Sequence, residues 1–313
     1  MARHSACSLW QRTAASRFCC FLAGGLGLPE YLMEKAYPSG LENEFVVCYL
    51  EYRGTSLSYR PDTPVESMTL EQYLDDVVEV TNYLRTRFGQ EKIYLIGHSF
   101  GSYIAINTVY RHPELYHAYI AMSQIADANE SERLAYWYMV EQYRAQGNTR
   151  MIKKFEKYPI DTSEDAFKAY AMSLLRDIAM HDLGVGTARD MRSPISGLLL
   201  PSLRDTVYTP AERINIWRGK IFAGKTTVGR GHLSFNAFDE IPEIAVPIYF
   251  FAGLYDYTVC YSLQKDYYER IEAPLKAFYT FENSAHSPLF EEPEKARDIL
   301  CRDVLQGETA LAD

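Results

Sequence analysis

The stretch Gly97-His98-Ser99-Phe100-Gly101 stands between an apolar run, Ile93–Ile96, and a helical pattern over Ser102–Arg111. This is the order of strand, sharp turn and helix that a G-x-S-x-G nucleophile elbow requires. The serine of such an elbow occupies a strained turn, and glycines stand two positions to either side because a side chain there would collide with the neighbouring strand and helix. The sequence therefore predicts Ser99 as a nucleophile at the carboxyl end of a buried strand.

Outward from this turn, short apolar runs alternate with longer helical patterns. Near-continuous hydrophobic runs of this length suit strands buried on both faces, and helical spacers suit the crossovers between parallel strands. The clearest helix is predicted over Leu70–Phe88, with Thr69 and Gln72 as a capping box and Gly89 as a left-handed stop. The predicted fold class is α/β, with a mostly parallel, doubly wound sheet. The remaining predicted strands are Phe18–Leu22, Phe45–Leu50, Tyr116–Met122, Ile248–Ala252 and Leu275–Tyr279.

A long segment without strand signals interrupts this alternation between Ser123 and Ala245. Helical patterns are predicted there instead. We predict a core domain made of residues 1–122 and 246–313, and an inserted helical cap, or lid, domain made of residues 123–245. A cap at this point of the chain would cover the carboxyl ends of the strands, where ligands bind in α/β folds. The helical patterns are Glu130–Gln146, Thr149–Tyr158 and Glu164–Met180.

Two further side chains are expected beside Ser99. A serine hydroxyl needs a base to take its proton, and the base needs an acid that orients it, in the chain order Ser, Asp or Glu, then His. His286 lies in the polar loop after Leu275–Tyr279, and Asp256 lies in the loop after Ile248–Ala252. Because both loops leave the carboxyl ends of predicted parallel strands, we expect Ser99, Asp256 and His286 to form a catalytic triad.

The other histidines and acids are less suited to this triad. His112 and His117 are predicted to be surface or capping groups, and His98 a packing residue beside the elbow. Asp239 in the cap and Asp266 in a helix are rival acids that lack the loop position of Asp256.

An oxyanion hole is the remaining part of such a site. One donor is predicted to be the backbone N–H of Phe100. The other is expected from the turn Ala23-Gly24-Gly25-Leu26-Gly27, whose glycines let the backbone approach a substrate oxygen. A merely flexible strand-to-helix turn is the alternative interpretation of these glycines.

Composition excludes several classes of function. The 313 residues carry 32 Lys and Arg against 41 Asp and Glu, a net charge of −9, which argues against nucleic-acid and anionic-membrane partners. The six cysteines have neither disulfide-framework nor zinc-site spacing, so we expect reduced thiols and no metal or cofactor. No apolar run reaches the roughly 20 residues of a membrane span, and Phe18–Ala23 is too short for a signal peptide, so a cytoplasmic location is predicted.

With these residues identified, the chain resembles the α/β-hydrolase superfamily, and within it the proline-iminopeptidase-related branch, from about Phe18 to about Leu305. The resemblance is most specific at Gly97–Gly101, Arg53-Gly54, Gly253–Asp256 and His286. It implies a triad of Ser99, Asp256 and His286. It also aligns a His-Gly-Gly-Pro-Gly turn of that branch with Ala23–Gly27, which implies that Gly25 is an oxyanion donor beside Phe100.

The chain departs from the branch at several positions. Ala23, Leu26 and Phe100 stand where the branch has histidine, proline and tryptophan. Only about 17 residues precede Phe18, so we expect the edge hairpin of the family to be missing, and the bare edge would allow two copies to pair as a homo-oligomer.

The leading hypothesis is a serine hydrolase that cleaves small carboxylic esters or amides through an acyl-enzyme on Ser99, without cofactor or metal. The 25 tyrosines suggest a flat, apolar pocket for a small ester, amide or short peptide. One alternative is a proline-iminopeptidase-like aminopeptidase, which by resemblance needs cap carboxylates for a free amine. Another is a non-catalytic binding protein with a degraded oxyanion turn. The available cap acids are Glu130, Glu132, Glu141, Asp161, Glu164, Asp205 and Glu212.

Overall fold

A computed structural model describes the backbone of residues 6–10 and all of residues 17–313. The described strands are β1 (Ala6–Trp10), β2 (Phe18–Leu22), β3 (Val46–Glu51), β4 (Ile93–His98), β5 (Tyr116–Met122), β6 (Ile248–Gly253) and β7 (Lys276–Phe281). They form one sheet in the order β1-β3-β2-β4-β5-β6-β7. Strands β2 to β7 pair in parallel, and β1 runs antiparallel beside β3. The predicted α/β fold with a mostly parallel sheet is confirmed.

Helices follow the strands and also fill the long connection between β5 and β6. The described α-helices are α1 (Glu30–Ala36), α2 (Leu70–Phe88), α3 (Phe100–Arg111), α4 (Ala128–Ala145), α5 (Thr149–Phe155), α6 (Glu164–Ala171), α7 (Leu174–Asp182), α8 (Leu200–Arg204), α9 (Pro210–Ala223), α10 (Thr227–Gly231), α11 (Ala237–Glu240), α12 (Tyr261–Arg270), α13 (Pro288–Glu291) and α14 (Pro293–Ile299). Eight of them, α4 to α11, lie between β5 and β6; residues 123–245 are called the helical insertion below.

The sheet is buried on both faces because its strands are apolar at successive positions. Cys20 and Leu22 of β2 point into a core shared with α2 and α3, whereas Cys19 and Phe21 point into a core shared with α13 and α14. Alternating strand residues face opposite sides of a sheet, so a continuous apolar run needs helices on both sides. Because β2 to β7 run parallel, the loops at their carboxyl ends lie along one edge of this buried sheet.

The local signals around the clearest helix are mostly confirmed. Thr69 accepts a hydrogen bond from the Gln72 N–H, and Gly89 ends α2 at φ 63°. The capping box is only half formed, because the Gln72 side chain donates to Asp76 instead. The helix predicted over Glu164–Met180 is two helices, α6 and α7. They separate at Ser173, whose side chain caps α7.

The prediction of a missing edge element is wrong in part. Strand β1 covers the outer side of β3, with Leu9 opposite Cys48. The bare edge that suggested pairing between copies is therefore occupied. Cys19, Cys20, Cys260 and Cys301 are free thiols as expected, but Cys48 is disulfide-bonded, and Cys7 lies outside the residues whose side chains are described.

No helix in the described ranges combines the length and apolar character that crossing a membrane requires.

Candidate active site

The elbow is fixed by backbone crowding. Ser99 sits between β4 and α3 with φ 55° and ψ −120°, a conformation that L-residues rarely adopt. A Cβ at Gly101 would lie 2.0 Å from the carbonyl oxygen of Leu22, and one at Gly97 would lie 2.6 Å from the Cβ of Ala105. Both positions therefore require glycine, and Ser99 is held at the end of β4.

Asp256 and His286 are in direct contact. Asp256 follows β6, is only 1% exposed, and its Oδ2 lies 2.9 Å from His286 Nδ1. The backbone N–H groups of Thr258 and Val259 each donate to Asp256 Oδ1 over 2.9 Å. These bonds fix the carboxylate, which in turn fixes the imidazole with Nε2 available as the basic nitrogen. The rival acids Asp239 and Asp266 are exposed.

Burial keeps the base uncharged. Burial lowers the pKa of His286, the Asp256 carboxylate and its hydrogen bond raise it, and the net direction is downward from 6.5. The His286 ring is therefore neutral at pH 7 and ready to accept a proton.

Ser99 and His286 line one cavity of about 210 Å³, together with Gly25 of the predicted oxyanion turn. The Ser99 hydroxyl makes no hydrogen bond to a protein group within the described ranges, and catalytic hydrogen bonds are commonly long before substrate binds. The lining residues of the cavity are Gly24, Gly25, Leu28, Pro29, Glu30, Leu32, Met33, His98, Ser99, Arg176, Asp177, Met180, His181, Thr187, Pro194, Leu198, Trp217, Lys220, Thr258 and His286.

The expected tyrosine surface is absent from this wall. Among the described residues no tyrosine lines the cavity, and Trp217 is the one large aromatic there. Tyr136, Tyr143 and Tyr170 pack into the core of the helical insertion instead. The number of tyrosines could not predict this, because a residue count does not say which face of a helix each tyrosine occupies.

The oxyanion turn is a tight left-handed turn. The Gly27 N–H donates to the Gly24 carbonyl over 2.9 Å, and Gly25 and Leu26 have φ 56° and 57°, as both central residues of a type I′ turn do. The proline that the proline-iminopeptidase-related branch has in place of Leu26 is locked near φ −65° and cannot adopt this conformation. The turn of this chain therefore differs from a turn that contains proline.

Two backbone amides remain available for an oxyanion. The Gly24 N–H donates to Glu30 Oε2 over 3.1 Å and is not available. In the described part of the chain, the N–H groups of Gly25 and Phe100 have no acceptor within the protein. Phe100 is also the first residue of α3, where the helix dipole favours negative charge. The predicted donors are thus placed beside Ser99 with free hydrogens.

The helical insertion contributes charged groups to the cavity. Lys220 of α9 donates to the Gly25 carbonyl over 2.9 Å. Arg176 forms hydrogen bonds of 2.8 Å from Nε to both Glu132 oxygens, so this acid is committed to an ion pair. None of the seven cap acids considered from the sequence lines the cavity, whereas Asp177 does. Asp177, Met180 and His181 share one helix face at i, i+3 and i+4, a spacing that groups them but does not say that this face of α7 lines the cavity.

The remaining histidines are sorted by their contacts. His117 is exposed and His112 half-exposed, as predicted. His98 is buried as a packing residue would be, but it also makes hydrogen bonds to Glu30 and to the His286 carbonyl and lines the cavity. Within the described residues, no three His, Cys, Asp or Glu side chains are grouped to hold a metal ion.

Comparisons with known proteins agree with this geometry. A family model for the alpha/beta hydrolase fold matches residues 21–293, and the chain belongs to this family of hydrolases. The chain is 30% identical over 284 residues to "Probable aminopeptidase YbaC" of Bacillus subtilis (strain 168), covering 90% of this chain and 87% of that protein.

Two solved structures share the fold. A proline iminopeptidase of Mycobacterium smegmatis superimposes with a TM-score of 0.68 at 16% identity, over 96% of this chain and 94% of that chain. The esterase EaEST from Exiguobacterium antarcticum superimposes with a TM-score of 0.56 at 14% identity, over 96% and 95% of the two chains. The predicted resemblance to the proline-iminopeptidase-related hydrolases is confirmed.

Proposed function

We propose that this protein is a serine hydrolase that cleaves small carboxylic esters or amides through an acyl-enzyme on Ser99. One observation carries the proposal: Ser99, His286 and Gly25 line a single cavity, and Asp256 holds His286 by its Nδ1. A nucleophile, a base oriented by an acid, and a free amide at one wall are the parts that acyl transfer requires.

The steps follow from these groups. The Ser99 oxygen attacks the substrate carbonyl carbon while His286 Nε2 takes the hydroxyl proton, and the Gly25 and Phe100 amides hold the oxyanion. When the carbon–oxygen or carbon–nitrogen bond breaks, His286 returns the proton to the leaving group. Water, deprotonated by His286, then attacks the acyl-enzyme. The acid is released as its bond to the Ser99 oxygen breaks, and His286 returns the proton to that oxygen. Asp256 orients His286 throughout and stabilises its charged form.

The cavity favours a small substrate. Its volume of about 210 Å³ is below the roughly 300–1,000 Å³ of pockets for drug-sized ligands. Leu28, Met33 and Leu198 supply apolar wall, which suits a short apolar acyl group. The acidic net charge supports our further expectation that nucleic acids and anionic membranes are not partners, and action in the cytoplasm is part of the proposal.

An aminopeptidase is the second candidate, favoured by the likeness to YbaC and by Asp177 on the cavity wall. A free amine needs an anionic partner. Asp177 is also paired with Arg176, and Lys220 brings a second cation to the same wall. Because these cations repel a substrate ammonium, hydrolysis of an ester or a neutral amide is the first candidate function.

Labelling with a fluorophosphonate tests the nucleophile. We expect the wild-type chain to be labelled, Ser99→Ala to be unlabelled, and His286→Ala to be labelled at least about 100-fold more slowly. Ser262→Ala, which changes an exposed serine of α12, is the matched control and should be labelled like wild type. An unlabelled wild-type chain would favour the non-catalytic binding protein.

Substrate pairs separate the two candidates. A short-chain nitrophenyl ester is compared with prolyl and alanyl naphthylamides, each with a free and an acetylated amine. The esterase hypothesis predicts hydrolysis that does not depend on the free amine. The aminopeptidase hypothesis predicts loss of activity when the substrate amine is acetylated and in the Asp177→Asn variant. Asp165→Asn, which changes an exposed acid of α6, is the control and should keep its activity.

A further inference from the structure

A chain of buried hydrogen bonds joins the oxyanion turn to the loop that carries His286. Glu30 Oε2 accepts the Gly24 N–H, and Glu30 Oε1 lies 2.7 Å from His98 Nδ1. His98 Nε2 lies 2.8 Å from the carbonyl oxygen of His286. Glu30 and His98 are each 4% exposed. We propose that Glu30 and His98 are positioning residues that hold the Gly25 N–H and the His286 imidazole in register around Ser99, an inference that rests on the proposed function.

The chemistry of the bridge assigns its hydrogens. The carbonyl of His286 can only accept, so His98 Nε2 must carry a hydrogen. One further proton lies between His98 Nδ1 and Glu30 Oε1. Both ring nitrogens of His98 and both carboxylate oxygens of Glu30 are thereby engaged at once, which leaves neither side chain free to rotate.

On the turn side, the bridge orients an amide. The Gly24 N–H is held by Glu30, and the Gly24 carbonyl accepts from the Gly27 N–H. In a trans peptide the Gly25 N–H points opposite to the Gly24 carbonyl, so fixing Gly24 on both sides directs the Gly25 N–H away from the inside of the turn. This is the hydrogen that the oxyanion needs.

On the base side, the bridge holds the backbone of the histidine itself. The His286 carbonyl accepts from His98 Nε2 and from Ser123 Oγ, the latter over 2.9 Å. His98 is the residue before Ser99, so the elbow, the turn and the base are connected through one ring. A misplacement of about 1 Å in such a site can cost roughly 100-fold in rate.

Electrostatics supports the connection. His98 is faced by Glu30, by the His286 carbonyl and, further away, by the Asp256 carboxylate. Burial lowers the pKa of His98, these groups raise it, and the net direction is upward from 6.5. The stability that the pair contributes is therefore complete below about pH 6.5 and is lost as the pH rises through the raised pKa of His98.

Two isosteric changes of Glu30 test the bridge. Glu30→Gln keeps the length, because its amide accepts from the Gly24 N–H and donates to His98 Nδ1, so kcat at pH 7 should stay within about threefold of wild type. Glu30→Asp keeps the charge but is one methylene short, so we expect kcat on a nitrophenyl ester to fall about 10- to 100-fold, with KM within about threefold. Inhibition by an alkyl boronic acid, which forms a tetrahedral adduct with serine, should weaken by the same factor.

The control is a buried hydrogen bond away from the cavity. Tyr279 donates to Asp303 over 2.7 Å, and Tyr279→Phe removes this bond. It should lower the melting temperature and leave kcat unchanged. The inference is overturned if Glu30→Asp lowers kcat no more than Tyr279→Phe does, or if Glu30→Gln loses as much as Glu30→Asp. Failure of the wild type to react with fluorophosphonate would instead defeat the proposed function.

Discussion

Two glycine-bearing turns meet at the cavity, and they are built in different ways. The elbow at Gly97–Gly101 is held by steric crowding, because a Cβ on Gly97 would overlap atoms of α3 and a Cβ on Gly101 would overlap Leu22 of β2. The oxyanion turn leaves more room at Gly24 and Gly25, although a Cβ at Gly27 would lie 2.6 Å from Thr55 Oγ1. A Cβ at Gly24 would lie 3.2 Å from its nearest neighbour. The first part of the turn is held instead by two side chains outside it: Glu30, six positions from Gly24, and Lys220, 195 positions from Gly25.

This difference decides what each turn depends on. Crowding against β2 and α3 leaves no room for a side chain at Gly97 or Gly101 and requires no side-chain hydrogen bond, so the packed sheet and helix are enough to fix the elbow. Side-chain hydrogen bonds can be removed one at a time, so the oxyanion turn can be weakened without loss of the fold. The turn also accepts a hydrogen bond from Lys220 of the helical insertion, so the alignment of the oxyanion hole depends on the position of α9.

Gly101→Ala should have the largest effect. The added methyl would lie 2.0 Å from the Leu22 carbonyl oxygen, and this overlap can be relieved only if β2 or α3 moves. We therefore expect the unfolding free energy to fall by at least about 4 kcal/mol, or the protein not to fold. Chemical denaturation measures it. Gly224→Ala is the control, because φ there is −61° and the nearest atoms would be 3.5 Å away. A stable, active Gly101→Ala protein would contradict the steric account of the elbow.

Lys220→Met should lower kcat/KM about tenfold and leave the fold intact. The change removes the only described side-chain contact of the Gly25 carbonyl while keeping most of the apolar stem, so the oxyanion turn loses alignment but α9 still packs. Kinetics on a nitrophenyl ester and thermal unfolding are measured together. Lys153→Met changes an exposed lysine of α5 and should leave both unchanged. Unaltered kinetics for Lys220→Met would show that the insertion does not support the turn.

The acid limb of the pH profile of kcat/KM should report the protonation of His286. His286 must be neutral to act as base, and its pKa is shifted downward from 6.5, so activity is complete above that pKa and falls as the pH drops through it. His98 has a raised pKa and keeps its proton over this range. We therefore expect an acid midpoint below pH 6.5 in the wild type. The same midpoint in Lys220→Met would be a second check, and an acid midpoint above 6.5 would contradict the assignment.

The elbow and the triad acid and base could be predicted from the sequence because their signals are local. Gly97, Ser99 and Gly101 form a motif within one strand–turn–helix unit, and Asp256 and His286 each lie in the loop that follows an apolar run. The chain order of parallel strands then places all three at one edge of the sheet. The structure brings Asp256 and His286 into contact and places Ser99 on the same cavity wall.

Most of the support of the oxyanion turn could not be predicted, because only the hydrogen bond between Glu30 and Gly24, across six positions, is local. Glu30 and His98 are 68 positions apart, and Lys220 reaches Gly25 across 195 positions. No periodicity or motif connects such residues. The choice of Asp177 over the other cap acids likewise depends on which face of α7 turns toward the cavity, which is set by packing of the insertion and not by the helical pattern itself.

Leu26→Gly should have the smallest effect, a slight increase in the free energy of unfolding. Leu26 has φ 57°, a left-handed conformation that costs an L-residue about 1–2 kcal/mol and costs glycine nothing. The larger unfolded-state entropy of glycine and the lost contact of Leu26 with the core offset part of this gain, so we expect stabilisation by at most about 1 kcal/mol and kcat/KM within about threefold. Leu26→Pro is the matched contrast, since proline cannot reach positive φ and should open the turn. Equal activity of the two variants would mean that the left-handed turn is not the conformation that holds the oxyanion.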